Sequence, residues 1–212
     1  LLGAVRAQCG PDDTLLVLSD HGFGAFRRAA HVNAWLRDRG YLALADGAAT
    51  GGELLKDVDW AHTRAYALGF GSIYLNRRGR EQHGIVPADA APGLSAQLRA
   101  ALADWRDADG TPVVHRAYAR DDIYAGPHTA EAPDLVIGFN DGYRASWQTA
   151  LGAVPAPCLE DNTKRWSGDH LIDPALVPGV LLTNRPLPAH PTLYDLTPTV
   201  LQLVGASDAQ IC

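Results

Sequence analysis

Two Asp-His pairs are the clearest candidates for chemistry in this chain. Asp20-His21 lies in LVLSDHGFG, between an apolar run and two glycines, and Asp169-His170 lies in WSGDH. Carboxylate oxygen and neutral imidazole nitrogen both suit zinc or manganese, so an adjacent Asp and His can bind one ion where the chain bends between them. An isolated Asp-His-Gly also recurs by chance, as a strand-end turn in which Asp20 caps the next segment. The second pair favours metal binding over that alternative.

The other six histidines favour a different role. They lie in polar loops or at the edges of predicted elements, where a surface or hydrogen-bonding role is expected: His31, His62, His83, His115, His128 and His190. Metal sites gather ligands from loops that are distant in sequence. We therefore expect His170 to face Asp20 and His21 across a crevice.

The segment before Asp20 is predicted to be a buried strand. Residues Thr14 to Leu18 are mostly aliphatic, without alternation, and turn formers flank them. In open α/β sheets, ligands bind beyond the carboxyl ends of the strands. Gly22 and Gly24 would allow the backbone to turn sharply there or to approach a ligand closely.

The remaining pattern alternates strands and helices, which favours an α/β fold. The helix that contains Val32, Trp35 and Leu36 should stop at Gly40. The other predicted elements are strands at Ala65 to Leu68, Ser72 to Asn76, Asp134 to Asn140 and Gly179 to Asn184, an amphipathic helix from Leu94 to Trp105, and a last helix with Thr197 as N-cap, Pro198 at its first position and Gly205 at its end.

The amino-acid composition limits the classes of protein to which this chain can belong. A chain of 212 residues with 47% hydrophobic residues can form one good-sized domain with a substantial core. The formal charge of −6 argues against a general nucleic-acid binder, which needs a basic face. No apolar run is long enough to predict a membrane span. The spacing of Cys9, Cys158 and Cys212 fits neither a disulfide framework nor a thiolate zinc site.

The first residues, LLGAVRAQCG, look like the tail of an amphipathic helix that is already under way, and the chain contains no methionine. This predicts a chain that is incomplete at its N-terminus. Any targeting signal would then lie upstream, which leaves the compartment open.

A family resemblance covers nearly the whole chain. It is carried by LLVLSDHGFG, NAWLRDRGYL, RAYALGFGSIYLNRRGRE, PDLVIGFNDGYRASWQTALG, WSGDHLIDPALVPGVLLTN and YDLTPTVLQLVG. Together these stretches resemble the C-terminal half of a type I phosphodiesterase/nucleotide pyrophosphatase-like protein of the alkaline phosphatase superfamily. The resemblance implies a three-layer α/β sandwich with a central, mostly parallel sheet flanked by helices. Residues 1–212 would form a single partial domain of that kind.

The resemblance also implies a site with two divalent metal ions. Asp20 and His21 match the pair that binds the metal next to the nucleophile, and His170 matches the late histidine that binds the second metal. Asp169 would orient the loop rather than ligate. Zinc is the metal that the ligands and the family favour, and manganese fits the same ligands.

The remaining catalytic parts of such an enzyme would lie upstream of this chain. They are an early Asp, a Thr or Ser nucleophile and an Asp-x-x-x-His pair, so no nucleophile is assigned here and the fragment alone is expected to be inactive. The early segment Cys9 to Asp13 has Asp where sulfatase relatives need Arg, which argues against a sulfatase.

The expected substrate is a small phosphate ester or a nucleotide, with no nucleic-acid partner. Lys164 could pair with a phosphate and Trp166 could stack on a base, or the two could be a solvated lysine and a tryptophan that packs its loop. The same two interpretations apply to Tyr143, Arg144 and Trp147.

Two alternatives to a phosphodiesterase remain open at this point. A phosphomonoesterase or phosphomutase of the same superfamily would share the metal pair, because the pocket decides between these reactions. A non-catalytic metal-binding or interaction module of the same descent would explain why the nucleophile is missing. The oligomeric state is also open.

Overall fold

The computed structural model describes residues 1–207, which divide into two units. The first unit contains residues 1–22 and 178–207, and the second contains residues 23–177. Cys9 and Cys158 are free thiols, whereas Cys212 lies outside the described residues. The assignment of residues 1–212 to a single partial domain stays a prediction.

The first unit contains one short antiparallel pair of strands. Its elements are α1 (Leu2–Arg6), β1 (Leu16–Leu18), β10 (Leu181–Thr183) and α6 (Leu193–Leu203). Leu16 pairs with Thr183, and Leu18 pairs with Leu181. Leu18 is 39% exposed, so the prediction of a fully buried strand before Asp20 is wrong. Within this unit β1 has only β10 beside it, which leaves much of its surface uncovered.

Helix α6 begins earlier than the sequence pattern predicts. Thr192, not Thr197, is the N-cap, and its backbone N–H and hydroxyl both donate to Asp195 Oδ2 at 2.8 Å. This capping box stabilises the first turn, so Pro198 falls inside the helix rather than at its start. Gly205, with a φ of +84°, follows the last turn as expected.

The second unit contains eight strands and four α-helices. The strands are β2 (Gly24–Ala30), β3 (Ala65–Ala67), β4 (Ser72–Leu75), β5 (Val114–Ala119), β6 (Leu135–Phe139), β7 (Gly142–Ala145), β8 (Leu159–Asp161) and β9 (Gly168–Asp169). The helices are α2 (Val32–Asp38), α3 (Ala91–Ala103), α4 (Arg120–Ile123) and α5 (Trp147–Ala150).

These strands form two sheets. In one, β2 pairs with β7 in parallel and with β8 and β9 in antiparallel fashion. The other has the order β3-β4-β6-β5 and is antiparallel throughout. The predicted α/β class is confirmed, but the strands described here pair mostly antiparallel rather than mostly parallel. Part of the reason is local, because Gly69 and Gly71 adopt positive φ and turn β3 directly back into β4.

The core of the second unit lies under the predicted amphipathic helix. Leu94, Leu98 and Leu102 of α3 are buried, and Trp105 just after the helix is buried as well, which confirms the predicted face. The ring of Trp105 stacks on Trp35 of α2 with 5.3 Å between centroids. None of the helices formed by residues 1–207 is long and apolar enough to cross a membrane.

A buried polar network joins the end of β2 to its neighbours. His31 has no exposed surface, and its Nδ1 lies 2.8 Å from the Ser146 hydroxyl while its Nε2 lies 3.2 Å from Glu160 Oε2. The backbone N–H of Val32 donates to the Thr149 hydroxyl at 2.9 Å. His31 therefore has the expected hydrogen-bonding role, but it is not a surface residue.

This network should make the stability of the protein depend on pH. Burial lowers the pKa of His31, although the hydrogen bond with Glu160 opposes the shift. The unfolded chain then binds a proton more readily than the folded chain. The free energy of unfolding is therefore highest above the unfolded pKa of about 6.5 and decreases as the pH drops below that value. Urea denaturation at pH 5.5 and 7.5 should show this loss. His31→Gln should reduce the difference, and His62→Gln, at an exposed site, should not. An equal loss in all three proteins would contradict the prediction.

Candidate active site

Asp20 and His21 come together at the end of β1 in a shared turn. His21 Nδ1 lies 2.7 Å from the carbonyl oxygen of Gly22. A carbonyl can only accept, so this contact places the ring proton on Nδ1. The Asp20 carboxylate accepts from the backbone N–H of His21 at 3.1 Å, and its Oδ2 lies 3.5 Å from His21 Nε2.

The donor atoms of this pair fit a divalent metal ion. Two ligands bound about 2.0–2.2 Å from zinc at a tetrahedral angle are about 3.3–3.6 Å apart, and Asp20 Oδ2 and His21 Nε2 are separated by 3.5 Å. The Nδ1–H to carbonyl contact is the arrangement that fixes the tautomer of metal-binding histidines. The Asp20 side chain is 78% exposed, so a cation can reach it.

The strand end that holds Asp20 is fixed by Ser19. Its backbone N–H donates to the carbonyl of Val180 at 3.0 Å, and its hydroxyl accepts from the backbone N–H of Val180 at the same distance. Ser19 and Asp20 also line a cleft of about 440 Å³ within the first unit. A small phosphate ester has room in a cleft of this size.

His170 follows β9 in the second unit and is held through its neighbour Asp169. The buried Asp169 carboxylate accepts from the backbone N–H groups of His170 at 2.7 Å and Leu171 at 3.0 Å. Its Oδ1 lies 3.8 Å from His170 Nδ1, and the His170 side chain is about half exposed. These are the loop-orienting contacts expected of Asp169.

Arg144 pairs with Asp169 in the interior. One guanidinium nitrogen bonds to Asp169 Oδ2, and Nε donates to the carbonyl of Ala145 at 2.9 Å. Burial alone would raise the pKa of Asp169, but the backbone N–H of Leu171 and the guanidinium of Arg144 outweigh it and hold that pKa below its usual range. Asp169 therefore stays ionised and keeps its hydrogen bonds to the backbone of the loop that carries His170.

The two predicted substrate-binding residues share one cleft with Arg144. We call it the Arg144 cleft, and its walls include Phe26, Arg144, Trp147, Glu160, Lys164 and Trp166. Its volume is about 120 Å³. Sequence analysis did not single out Phe26 or Glu160, because each lies in a different strand and only the pairing of β2 with β8 brings them to one place.

Two further side chains are occupied in structural contacts. The hydroxyl of Tyr143 donates to Asp107 at 2.8 Å, and burial raises the pKa of this phenol to about 12. The Cys158 thiol donates to Asp38 at 3.1 Å, and burial raises its pKa to about 12, so it is not a reactive thiolate at neutral pH.

The three predicted metal ligands belong to different units. The structure brings Asp20 and His21 together in the first unit, and His170 belongs to the second. Within residues 1–207, no group of three or more His, Cys, Asp or Glu side chains is arranged to hold a metal ion. The pair at Asp20-His21 supplies two donors, so a complete site there needs further ligands.

Comparison with known proteins assigns the family. The model of the type I phosphodiesterase/nucleotide pyrophosphatase family matches residues 2–170, a range that contains Asp20, His21 and His170. No curated protein and no solved structure matches the chain significantly. The matched range covers well over half of the 212 residues. This chain therefore belongs to the type I phosphodiesterase/nucleotide pyrophosphatase family.

Proposed function

We propose that this chain is part of a metal-dependent hydrolase of phosphoric esters, of the phosphodiesterase or nucleotide pyrophosphatase type. The observation that carries the proposal is the Asp20-His21 pair, whose two donor atoms lie 3.5 Å apart within the range that the family model matches. That separation suits one divalent ion bound by both side chains.

In this proposal, Asp20 and His21 hold one ion and His170 contributes to a second, with zinc favoured and manganese possible. When bound, such ions neutralise the charge that develops on a transferring phosphoryl group and activate the attacking hydroxyl or water. A Thr or Ser nucleophile would be supplied by sequence upstream of Leu1.

The chain's own residues would then have positioning and binding roles. Gly22 fixes the tautomer of His21 through its carbonyl. Asp169 fixes the backbone of His170, and Arg144 keeps Asp169 in place. Lys164 and Trp166 would contact the substrate from the rim of the Arg144 cleft.

The first test is hydrolysis by the full-length gene product and by residues 1–212 alone. Bis(p-nitrophenyl) phosphate and p-nitrophenyl phosphate are supplied with Zn²⁺ or Mn²⁺, and the chelator EDTA gives the metal-free control. We expect the gene product to cleave the diester only with metal, and residues 1–212 to be inactive. Cleavage of the monoester alone would identify a phosphomonoesterase. Absence of hydrolysis of both esters would favour a phosphomutase or a non-catalytic module.

A further inference from the structure

One cleft of the second unit has no role in the proposed function. It lies beside α3, where β4 and β5 end and β6 begins. We call it the Arg99 cleft, and its walls include Arg77, Ala91, Ser95, Arg99, Arg120 and Asp134. Its volume is about 280 Å³, whereas a cavity of about 150 Å³ already accommodates a benzene ring. A small anion therefore fits in it together with bound water.

Three guanidinium groups surround one buried carboxylate in the wall of this cleft. Asp134 is 7% exposed, and its carboxylate bonds to Arg80 Nη2 at 2.6 Å. It also lies 3.5 Å from Arg77 Nη1 and 3.8 Å from Arg120 Nη1. Glu81 bonds to Arg80 at 2.7 Å and offsets that cation, which leaves Arg77 and Arg120 to share Asp134. Positive charge therefore remains on this side of the cleft.

Arg77 has donor atoms that a ligand can reach. Its contact with Asp134 uses Nη1 alone. Nε and Nη2 have no hydrogen-bond partner among residues 1–207, and neither atom is buried. The side chain as a whole is 26% exposed. Because the guanidinium is a planar fork, Nε and Nη2 can donate side by side to two oxygen atoms of one anion.

Helix α3 brings a second cation and a hydroxyl to the same cleft. Ser95 and Arg99 are four positions apart and so share a face of the helix. Arg99 Nε donates to the carbonyl of Ala117 at 3.2 Å, and its Nη2 lies 3.4 Å from Asp122. Its Nη1 has no partner in the described part of the chain and is not buried. Donors thus reach the cleft from α3 as well as from the segment after β4.

The other carboxylates near these donors lie mostly in solvent. Asp121, which also lines the cleft, accepts from Arg120 Nε at 2.8 Å, and its side chain is 75% exposed. The Asp122 side chain is 54% exposed. Solvent screens such charges, so they offset the arginines only weakly. The whole chain carries a formal charge of −6, so a cationic cleft is a local arrangement and not a general property of the surface.

We propose that the Arg99 cleft binds a phosphate group, either as the free ion or at the end of a small phosphomonoester. Arg77 donates through Nε and Nη2, Arg99 through Nη1, and Ser95 through its hydroxyl. Donors on two sides of a cleft suit a tetrahedral oxyanion, whose oxygen atoms point in several directions, better than a planar carboxylate. This inference goes beyond the proposed function and does not depend on it, since none of Asp20, His21 and His170 lines the cleft.

Isothermal titration calorimetry on the full-length gene product at low ionic strength tests the inference. The probes are inorganic phosphate and phenylphosphonate, which carries an organic group and has no ester bond to hydrolyse. Arg77→Gln and Arg99→Gln should each weaken phosphate binding about tenfold, because each removes charged hydrogen bonds. Asp121→Asn should strengthen it, because a negative charge leaves the wall. Arg78→Gln is the matched control, since Arg78 is exposed and outside the cleft, and it should bind like the parent.

The two probes distinguish the two sources of the phosphate group. Tighter binding of phenylphosphonate than of phosphate would identify a phosphomonoester as the ligand, and weaker binding would identify the free ion. Acetate serves as the planar anion. Acetate binding as tight as phosphate binding would overturn the proposal, because charge alone would then be recognised.

The same titrations with His170→Ala separate the cleft from the proposed metal site. Phosphate binding that survives in His170→Ala and falls in both arginine variants would support the cleft, whether or not the protein hydrolyses esters. Binding that is lost in His170→Ala and unchanged in both arginine variants would overturn the proposal. Asp121→Asn, at an exposed site, keeps the test valid if an arginine variant folds poorly, because unchanged phosphate affinity in it would also contradict the proposal.

Discussion

Replacing His170 by alanine should lower phosphodiester hydrolysis by the full-length gene product about a thousand-fold. A catalytic metal ion supplies several kcal/mol of charge stabilisation in the transition state, and about 4 kcal/mol corresponds to a thousand-fold in rate. The His170 side chain is about half exposed, so its removal leaves no buried cavity. The measurements are kcat/KM with bis(p-nitrophenyl) phosphate and metal content after dialysis.

Two further variants test whether the loss of activity is specific to the proposed metal ligands. Asp20→Asn keeps the shape of the side chain but removes its charge, and it should produce a comparable loss because Asp20 and His21 are proposed to bind one ion together. His62→Ala removes an exposed histidine that pairs with Asp59 and should retain full activity. Full activity in His170→Ala together with unchanged metal content would remove His170 from the proposed site.

Arg144→Ala should destabilise the protein by about 3–5 kcal/mol, because it leaves the buried Asp169 carboxylate without its cation. Urea denaturation followed by circular dichroism measures the loss. Arg78→Ala is the matched control, since Arg78 is an arginine of the same unit that lies exposed, and its effect should stay within about 0.5 kcal/mol.

A double variant distinguishes a lost ion pair from lost packing. If the cost of Arg144→Ala comes from the unpaired carboxylate, Asp169→Asn in the Arg144→Ala background should add less than it costs alone, because no buried charge remains to be compensated. Strict additivity of the two free-energy changes would show that Arg144 stabilises chiefly by packing between Phe26 and Trp147.

The positioning of His170 connects stability to activity. Asp169 bonds to the backbone N–H of His170 and to Arg144 through different oxygen atoms. Loss of Arg144 therefore removes the partner of the carboxylate that holds the backbone of His170. Partial activity of Arg144→Ala at a temperature where it remains folded would reflect this loosening.

Some elements could be predicted because their signals are local. The face of α3 follows from apolar residues at helical spacing, and Gly40 ends α2 because its φ of +72° disfavours other residues. The start of α6 was predicted wrongly, because the Thr192 capping box outweighs the preference of Pro198 for a first helical position. The α/β class was predicted correctly, whereas most strand pairs are antiparallel rather than parallel; for β3 and β4 the reason is the tight turn between them.

The sequence by itself determined the family and the closeness of Asp20 and His21, because adjacent residues in one turn lie together without help from the rest of the chain. Tertiary structure alone decided the role of Arg144. It lies 25 positions before Asp169, and no periodicity or spacing in the sequence links the two. Their pairing depends on β2, which carries β7 on one side and pairs with β9 at its start. This pairing of strands also buries the charges of Arg144 and Asp169 next to each other. Local sequence patterns do not encode that arrangement.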